Sequence, residues 1–441
     1  MRAILVKDFN NFVSRGEGLV SKSAFGSSLF FSADDAWRRK RQIMSPTFSS
    51  GKLKRISKKV IDSAESLADF LEECAKAGRL VPLRDTCGAY SSEIIAKTGF
   101  GIQAKFIGLE HSQFTKYCKT LLNIRLGWPR TVVQLVNLIP NMGAFCAKVL
   151  GIQLFDSVNM DANRYFTTIL SDTILERRRQ RRTGVTHGDF LDLILEANDA
   201  ASAGRLQQEE ENREVTASEL ASGPVRGLSD EEVYAESILV IFAGFETTAS
   251  TLQWALYELA QNPDIQEKAY QEVKRVVKGK TPTQEELKQL DYLDQVINET
   301  LRLFPPAPLV DRKARETRTY NGVTIPAGSK VMFPFWHLMR DPRYWETPNT
   351  FNPEHFSKEA REKRDPLAFT PFGQGPRLCL GMRLALLELK MALAHLLPRV
   401  KVVLNDRTEP RQGKEVKMTP LGAPTPEKPV QLAIELRSDD A

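Results

Sequence analysis

The segment TPFGQGPRLCLGMR, residues 370–383, places Cys379 in a glycine-rich loop just before an apolar stretch that predicts a helix. Glycines allow such a loop to turn tightly and to approach a flat ligand closely. Free backbone N–H groups at the start of a helix stabilise a thiolate, the form of cysteine that binds metals. A buried, inert cysteine is the common alternative. One thiolate cannot hold structural zinc or an iron–sulfur cluster, but it can be the axial ligand of a haem.

The overall composition excludes several classes of protein. The 441 residues are 42% hydrophobic and 26% charged, as in an ordinary globular protein, and the net charge of +6 does not indicate nucleic-acid binding. The five cysteines are odd in number, widely spaced and without a CxxC pair, which argues against a disulfide scaffold or a structural zinc site. The N-terminus lacks the pattern of a signal peptide, and no run of about 20 apolar residues predicts a membrane span.

The motif AGFETT, residues 243–248, lies inside a long apolar segment that begins at Ser229 and ends at NPD, residues 262–264. Such a segment predicts a helix through the centre of the protein. Glu246 and Thr247 are costly there unless they have a role. The Thr247 hydroxyl is placed to bond to the Ala243 carbonyl and loosen the helix locally. A satisfied buried hydroxyl is the simpler alternative.

Two further motifs are ambiguous on their own. ETLR places Glu299 and Arg302 three residues apart on one helix face, where most such pairs are surface ion pairs. WRRKR, residues 37–41, is typical of a solvated basic face or a localisation tract, but Trp37 and Arg41 share a helix face.

The remaining pattern predicts a helix-rich chain with few strands. Asn321-Gly322 predicts a hairpin turn. Residues 197–228 are polar, and we expect an exposed loop with the composition of a disordered segment. The apolar residues 131–155 predict either a buried core segment or a surface that dips into a bilayer. The other predictions are helices at 52–78, 158–182, 284–304 and 380–397 and a last β pair within 415–436.

FGQGPRLCLG, residues 372–381, resembles the haem-ligand signature of the cytochrome P-450 family at all its defining positions. The resemblance covers nearly the whole chain. It implies a single domain over 1–441 with a mainly α, minor β fold, in which a b-type haem (heme b) lies between the long central helix and the helix of the cysteine loop. Cys379 would be the axial ligand, Phe372 would shield its sulfur and Arg377 would bind a haem propionate, next to Gly381.

The other motifs gain roles from the same resemblance. AGFETT resembles the oxygen-binding groove, where Ala243 opens the helix and Thr247 and Glu246 help to deliver protons. ETLR before LFPP resembles the structural pair that ties its helix to the segment before the haem loop. Propionate-binding positions would be Trp37, Arg41 and Arg312, with Arg15 a weaker candidate, while Arg38 and Lys40 would point toward an acidic electron donor.

SPTFSSGKLK, YLDQVINETLRLFP and EKPVQL are most similar to the microsomal 3A-type subfamily, with thromboxane synthase next. This implies a haem-thiolate monooxygenase that inserts one oxygen atom from O2 into a steroid- or xenobiotic-like lipophilic substrate. NADPH-cytochrome P-450 reductase, with cytochrome b5 as a further partner, would deliver electrons at the cytoplasmic face of the endoplasmic reticulum membrane. Substrate-lining positions would be Phe242, Ala307, Leu421 and Gly422.

The chain departs from the family pattern in two ways. The usual PERF is PEHF here, so His355 replaces the arginine that completes a network with Glu299 and Arg302. The chain also begins after the point where the family carries its anchor, first helix and most of a small sheet. Two alternatives therefore stay open: an isomerase of the thromboxane-synthase type, against which the AGFETT threonines argue, and a non-catalytic haem- or ligand-binding protein.

Overall fold

The computed structural model describes most of the chain, and the fold and site below concern this part. The described residues are 1–15, 24–109, 112–121, 125–126, 155–156, 159–205, 226–278, 281–411, 414, 416–418 and 424–437. The predicted apolar segment 131–155 and the substrate candidates Leu421 and Gly422 lie outside them, apart from residue 155.

The described part of the chain is mainly helical, which confirms the predicted fold class. Its α-helices are α1 (Asp34–Met44), α2 (Ser50–Lys76), α3 (Leu83–Phe100), α4 (Gln113–Thr120), α5 (Met160–Arg182), α6 (Phe190–Ser202), α7 (Asp230–Gln261), α8 (Pro263–Val276), α9 (Gln284–Leu287), α10 (Asp291–Leu303), α11 (Phe335–Leu338), α12 (Lys358–Lys363) and α13 (Met382–Leu396).

The strands are short and lie at the edges of the helical body. A three-stranded antiparallel sheet has β9 (Gln431–Leu436) between β1 (Val81–Pro82) and β8 (Val400–Val403). The other strands form antiparallel pairs: β2 (Arg125–Leu126) with β3 (Phe155–Asp156), β4 (Val310–Lys313) with β7 (Lys330–Phe333), and β5 (Arg318–Tyr320) with β6 (Val323–Ile325). The predicted turn at Asn321-Gly322 joins β5 to β6, and both residues have positive φ, 50° and 82°.

Helix α7 begins where the sequence predicts it. Ser229 accepts from the backbone N–H of Glu232, and the Glu232 side chain accepts from the backbone N–H of Ser229, which is a capping box. The helix then runs 32 residues, with its middle turns buried on most sides. It contributes Leu252 and Trp254 to one hydrophobic cluster and Ile238 and Phe245 to another, so it separates the two main parts of the core.

The predicted helix at 284–304 is divided in the structure into α9 and α10. Leu290 has φ −88° and ψ 73° and interrupts the helix. The break is stabilised from α8, because the Glu272 carboxylate accepts from the backbone N–H groups of Tyr292 and Leu293 at 2.8 and 2.9 Å. This tertiary cap comes from 20 residues away, so local periodicity could not indicate it.

Two other element predictions need correction. The loop predicted at 197–228 is wrong for residues 197–202, which continue α6 with Ala197 and Ala201 buried. Leu228 is also buried, because it packs in the cluster beside α7. The last β pair is wrong in its pairing, since β9 pairs with β1 and β8, and Met418 and Pro426 form only an isolated bridge. Within the described ranges, no helix combines the length and apolarity needed to cross a membrane.

Candidate active site

The Cys379 thiol lies at the start of α13, as the sequence predicts. The backbone N–H of Cys379 donates to the Phe372 carbonyl at 3.0 Å, which closes the loop between these two residues. The residue is accessible to solvent, yet enough protein surrounds it that burial raises the pKa of the thiol. Hydrogen bonds from the N–H groups of Gly381 and Met382 and the charges of Arg41 and Arg15 oppose that rise. The loop therefore presents a thiol that a bound cation would convert to a thiolate.

Two glycines of the loop are required for different reasons. Gly375 has φ 71°, and a Cβ there would overlap the Leu5 carbonyl, so the N-terminal segment fixes this position. Gly381 has ordinary φ, and a Cβ there would meet only the Cys379 Sγ and a Phe48 ring carbon, both at 4.0 Å. The surrounding protein would thus leave room for a side chain at position 381, but that side chain would lie next to the Cys379 sulfur.

Four arginines converge near Cys379: Arg15, Arg41, Arg312 and Arg377. Burial, together with the charge of Arg15, lowers the pKa of Arg312 to about 9, and burial lowers that of Arg15 to about 10. Burial, Arg15, Arg312 and Arg41 also lower the pKa of Arg377, which Asp34 opposes. Asp311, which opposes the shifts of Arg15 and Arg312, lies 2.8 Å from Lys330. The cluster therefore carries excess positive charge in a desolvated place.

Arg377 makes three contacts with backbone carbonyl oxygens. Its guanidinium donates to the carbonyl oxygens of Val13 at 2.6 Å, Phe30 at 3.4 Å and Ser32 at 2.5 Å, and lies 4.8 Å from the Trp37 ring. These contacts join the cysteine loop to two N-terminal segments. Arg377 thus has a bridging position, and three of its five N–H donors are used in it.

The residues around Cys379 fit a haem by an observation independent of its signature. The Nε atoms of Arg15 and Arg312 are buried and make no hydrogen bond to any described residue. Buried guanidinium groups with unused donors are suited to carboxylates, and the two propionates of a haem supply two negative charges. Arg41 is close by and donates to the Leu378 carbonyl at 2.8 Å. Within the described ranges no group of three or more metal-binding side chains exists, so the single thiol is consistent with a haem ligand.

Helix α7 carries the predicted oxygen-site motif. The Thr247 hydroxyl donates to the Ala243 carbonyl at 2.7 Å, as predicted, but α7 stays a continuous α-helix there. Ala243 and Thr247 are exposed to solvent, although the residues of the helix around them are buried or half-buried. The Glu246 carboxylate lies 3.7 Å from Arg84 on α3.

Glu299 and Arg302 form a fully buried bidentate pair on α10. Arg302 donates to both Glu299 oxygens at 2.7 Å. The rest of its guanidinium donates to the carbonyl oxygens of Met339, Pro348 and Thr350 at 2.6 to 3.1 Å. Burial acts to raise the pKa of Glu299, but hydrogen bonds from Arg302 and His355 outweigh it and lower the pKa. The pair therefore fixes the segment 339–350 to α10.

His355 occupies the third position of this network. Its Nδ1 lies 3.0 Å from Glu299 Oε1 and its Nε2 lies 3.2 Å from the Thr347 hydroxyl. Arg364 donates to the His355 carbonyl at 2.8 Å and stacks 3.8 Å from the Trp345 ring. Sequence reasoning did not find Arg364 or Trp345, because neither belongs to a motif and their contacts depend on the fold.

The substrate candidates are placed on different segments. Phe242 on α7 is half-buried and packs against Phe25, with ring centroids 5.5 Å apart. Ala307 is exposed after the end of α10. Trp254, which the sequence did not single out, stacks on Phe304 at 4.0 Å and donates its indole N–H to the Pro424 carbonyl at 2.8 Å. It therefore ties the segment before Ala307 to the segment after Leu421 and Gly422.

The expectation for Lys40 is wrong. Its side chain is 2% exposed, lies 3.3 Å from Glu232 and 3.8 Å from Glu236, and so does not face a partner protein. It is buried because two acids of α7, almost 200 residues away in the sequence, face it. Arg38 does reach the surface side of α1, where it donates to Asn10 at 2.8 Å.

Among the described cysteines only Cys379 is accessible, and its place beside buried arginines fits a haem-thiolate protein. A family model described as Cytochrome P450 matches residues 1–434, and the chain belongs to the cytochrome P450 family. It is 34% identical to Cytochrome P450 3A11 of Mus musculus over 98% of this chain and 80% of that protein. It is also 34% identical to Cytochrome P450 3A5 of Homo sapiens over 99% of this chain and 81% of that protein.

These comparisons confirm the predicted resemblance to the 3A type. The protein is a cytochrome P450 monooxygenase, an oxidoreductase whose cofactor is haem b with a cysteine axial ligand. Membership of the family implies a redox-partner reductase and lipophilic substrates.

Proposed function

We propose that this enzyme inserts one oxygen atom from O2 into a bulky lipophilic substrate of steroid or xenobiotic type, using electrons from NADPH-cytochrome P450 reductase. The observation that carries the proposal is the pairing of an accessible thiol, Cys379, with an exposed Thr247 turn on an otherwise buried helix. Both groups are accessible to solvent, as the binding of a cofactor and a substrate requires.

The haem is proposed to lie between α7 and α13, with Cys379 as its ligand. Arg15, Arg41, Arg312 and Trp37 would hold its propionates, and Phe372 would cover the sulfur. Arg377 would support this arrangement from behind through its carbonyl contacts. When bound, the haem supplies the iron chemistry of dioxygen activation, which thiolate donation favours. The absence of a side chain at Gly381 leaves the approach to Cys379 open.

Proton delivery is assigned to Thr247 and Glu246. The Thr247 hydroxyl donates its only proton to the Ala243 carbonyl, and its oxygen can accept a hydrogen bond at the same time. To donate toward a bound ligand, the hydroxyl would rotate away from that carbonyl while its oxygen accepts a hydrogen bond from the proton source. Glu246 is partly exposed and is paired with Arg84 at 3.7 Å in this arrangement. Because that pair is half-exposed and its two charges are not in hydrogen-bond contact, the carboxylate is free to turn toward solvent or toward Thr247.

The substrate is proposed to contact Phe242, Ala307 and the segment that includes Leu421 and Gly422. The Trp254 contacts to Phe304 and Pro424 support this proposal. Phe304 lies three residues before Ala307 and Pro424 lies two residues after Gly422, and both contact the same side chain of α7. Cytochrome b5 is proposed as a second partner. The membrane surface at the cytoplasmic side of the endoplasmic reticulum is the proposed location, which rests on resemblance to the 3A type.

The test is the absorption spectrum of the purified, dithionite-reduced protein with carbon monoxide. A Soret band shifted strongly to the red is expected, and Cys379→Ser should lose that shift while Cys74→Ser, a cysteine buried at 2% exposure, should keep it. Substrate oxidation should then require both reductase and NADPH. Turnover of an endoperoxide without reductase would instead support the isomerase alternative, and a normal spectrum in Cys379→Ser would contradict the assigned ligand.

A further inference from the structure

A buried lysine–carboxyl contact joins α1 to α7 away from the cysteine loop. Lys40 is 2% exposed and Glu236 is fully buried, and the Lys40 Nζ lies 3.8 Å from the Glu236 Oε1. A second acid, Glu232, lies 3.3 Å from Lys40 and also pairs with Arg39. Burial raises the pKa of Glu236 to about 8, while Lys40 and a backbone hydrogen bond from Leu29 oppose the rise. The resemblance to the family assigned no role to Glu236.

Stability alone does not account for this pair. Replacing two buried polar partners by apolar side chains of similar volume is often neutral or stabilising. One oxygen of Glu236, Oε2, is buried without a hydrogen bond to any described residue, which adds to the cost. A costly arrangement that persists indicates a gain other than stability.

The pair binds two backbone groups of the same short segment. Glu236 Oε1 accepts from the Leu29 N–H at 2.8 Å, and Lys40 Nζ donates to the Ser27 carbonyl. A carbonyl and an N–H two residues apart are therefore held by a lysine and a buried carboxyl group from two different helices. An apolar pair could fill the same volume but could not fix this segment, residues 25–32, in position.

Segment 25–32 borders both halves of the site. At one end, Phe25 packs against Phe242 with centroids 5.5 Å apart and against Phe31 at 5.2 Å. At the other end, the carbonyl oxygens of Phe30 and Ser32 accept from Arg377. The Phe30 ring also lies 3.8 Å from the Arg15 guanidinium. A shift of this segment would move an aromatic wall and two arginines together.

We propose that Lys40 and Glu236 are positioning residues that hold segment 25–32 as a shared wall of the haem and substrate cavity, and so set the size of ligand that the cavity accepts. The proposal rests on the haem and substrate placement described above. It concerns residues that contact neither haem nor substrate and act through the segment between them.

The first test needs no haem. Hydrogen–deuterium exchange over residues 25–32 is measured in the purified protein and in Lys40→Met, Glu236→Leu and Glu236→Gln. We expect at least tenfold faster exchange at Leu29 in Glu236→Leu, and a smaller increase in Glu236→Gln, because the amide oxygen still accepts the hydrogen bond. Lys268→Met is the control, since Lys268 pairs with Glu354 on the surface. Exchange in Glu236→Leu equal to the wild type would overturn the proposal.

The second test measures the cavity through two azoles that shift the haem spectrum, imidazole as the small probe and clotrimazole as the bulky one. In Lys40→Met and Glu236→Leu we expect the Kd for clotrimazole to change at least fivefold while that for imidazole changes less than twofold, with Glu236→Gln closer to the wild type. An equal change for both azoles would mean general loss of structure and would overturn the positioning role. If the wild type binds no haem, the proposed function fails, while the exchange result still decides whether the pair fixes the segment.

Discussion

His355 Nδ1 lies 3.0 Å from Glu299 Oε1, the same oxygen that accepts from Arg302 and from the backbone N–H of Asn352. A histidine here carries charge only when it is protonated, whereas an arginine always carries it. We therefore expect His355→Arg to strengthen the network and to raise the temperature of haem loss by about 2 °C. Loss of Soret absorbance on heating measures this.

The control for this substitution is His187→Arg. His187 is exposed and bonds only to Gln180 by its side chain, so a new charge there should leave haem loss unchanged. If His355→Arg and His187→Arg lose haem at the same temperature as the wild type, the family arginine is not needed in this chain. Arg364, which donates to the His355 carbonyl, would then be the cation that takes its place.

The buried pair of α10 should dominate the local stability. Arg302→Met leaves the Glu299 carboxylate buried without its main partner, and we expect the free energy of unfolding to fall by about 3 to 5 kcal/mol. Lys268→Met breaks a pair whose side chains are 57% and 53% exposed, and its expected cost is about 0 to 1 kcal/mol. Urea denaturation compares the two variants, and similar losses would contradict the structural role of Arg302.

The sequence predicted the elements that carry strong local signals. Ser229 with three acids after it predicts the start of α7, and Asn321-Gly322 predicts its hairpin, because capping and turn chemistry are encoded within four residues. The break between α9 and α10 could not be predicted, since it depends on Glu272 of another helix. The pairing of β9 likewise depends on strands about 30 and 350 residues away.

The residues of the site could likewise be predicted only where the signal is local. Motifs indicated Cys379, Thr247 and Glu299 because each has a fixed local spacing. They did not indicate that Lys40 is buried, because a run of basic residues gives no sign of which one meets an acid from a distant helix. Trp254 was missed for a similar reason, since its partners are 50 and 170 residues further along the chain.

Arg312 should contribute to haem affinity through its charge. Its side chain is buried and its Nε makes no hydrogen bond to any described residue. If it binds a propionate, Arg312→Met should weaken the binding of hemin to the haem-free protein by about tenfold, the loss of one charge-assisted hydrogen bond. Arg315→Met is the matched control, because Arg315 is 57% exposed and pairs with Glu316. Equal hemin affinities in the two variants would exclude Arg312 from the propionate site.

Trp254 offers a substitution that removes one hydrogen bond and keeps the ring. Trp254→Phe retains an aromatic face against Phe304 but leaves the Pro424 carbonyl without its donor. We expect the unfolding free energy to fall by about 1 to 3 kcal/mol and the Kd for clotrimazole to rise while that for imidazole stays constant. Trp336→Phe, whose ring contacts Arg340 instead, is the control. An unchanged clotrimazole affinity in Trp254→Phe would mean that this bond does not shape the cavity.

A buried carboxyl group on α13 should make the protein less stable as the pH rises. Burial raises the pKa of Glu388 to about 8, which a hydrogen bond with Thr248 opposes only in part. Between pH 4.5 and 8 the folded protein keeps a proton here that the unfolded chain has released, so this contribution to stability is complete below pH 4.5 and is lost as the pH rises to 8.

Glu388→Gln does not titrate, so its unfolding free energy should fall less between pH 5 and 8 than that of the wild type. Burial also raises the pKa of Glu236 to about 8 and that of Glu258 to about 7, so in Glu388→Gln these two groups still make the unfolding free energy fall with rising pH. Urea denaturation at pH 5, 6, 7 and 8 measures the difference, with Glu354→Gln on the surface as the control. If the unfolding free energy of Glu388→Gln changes with pH as steeply as that of Glu354→Gln and the wild type, Glu388 is ionised in the folded protein. Its charge would then be stabilised by Thr248 and by water.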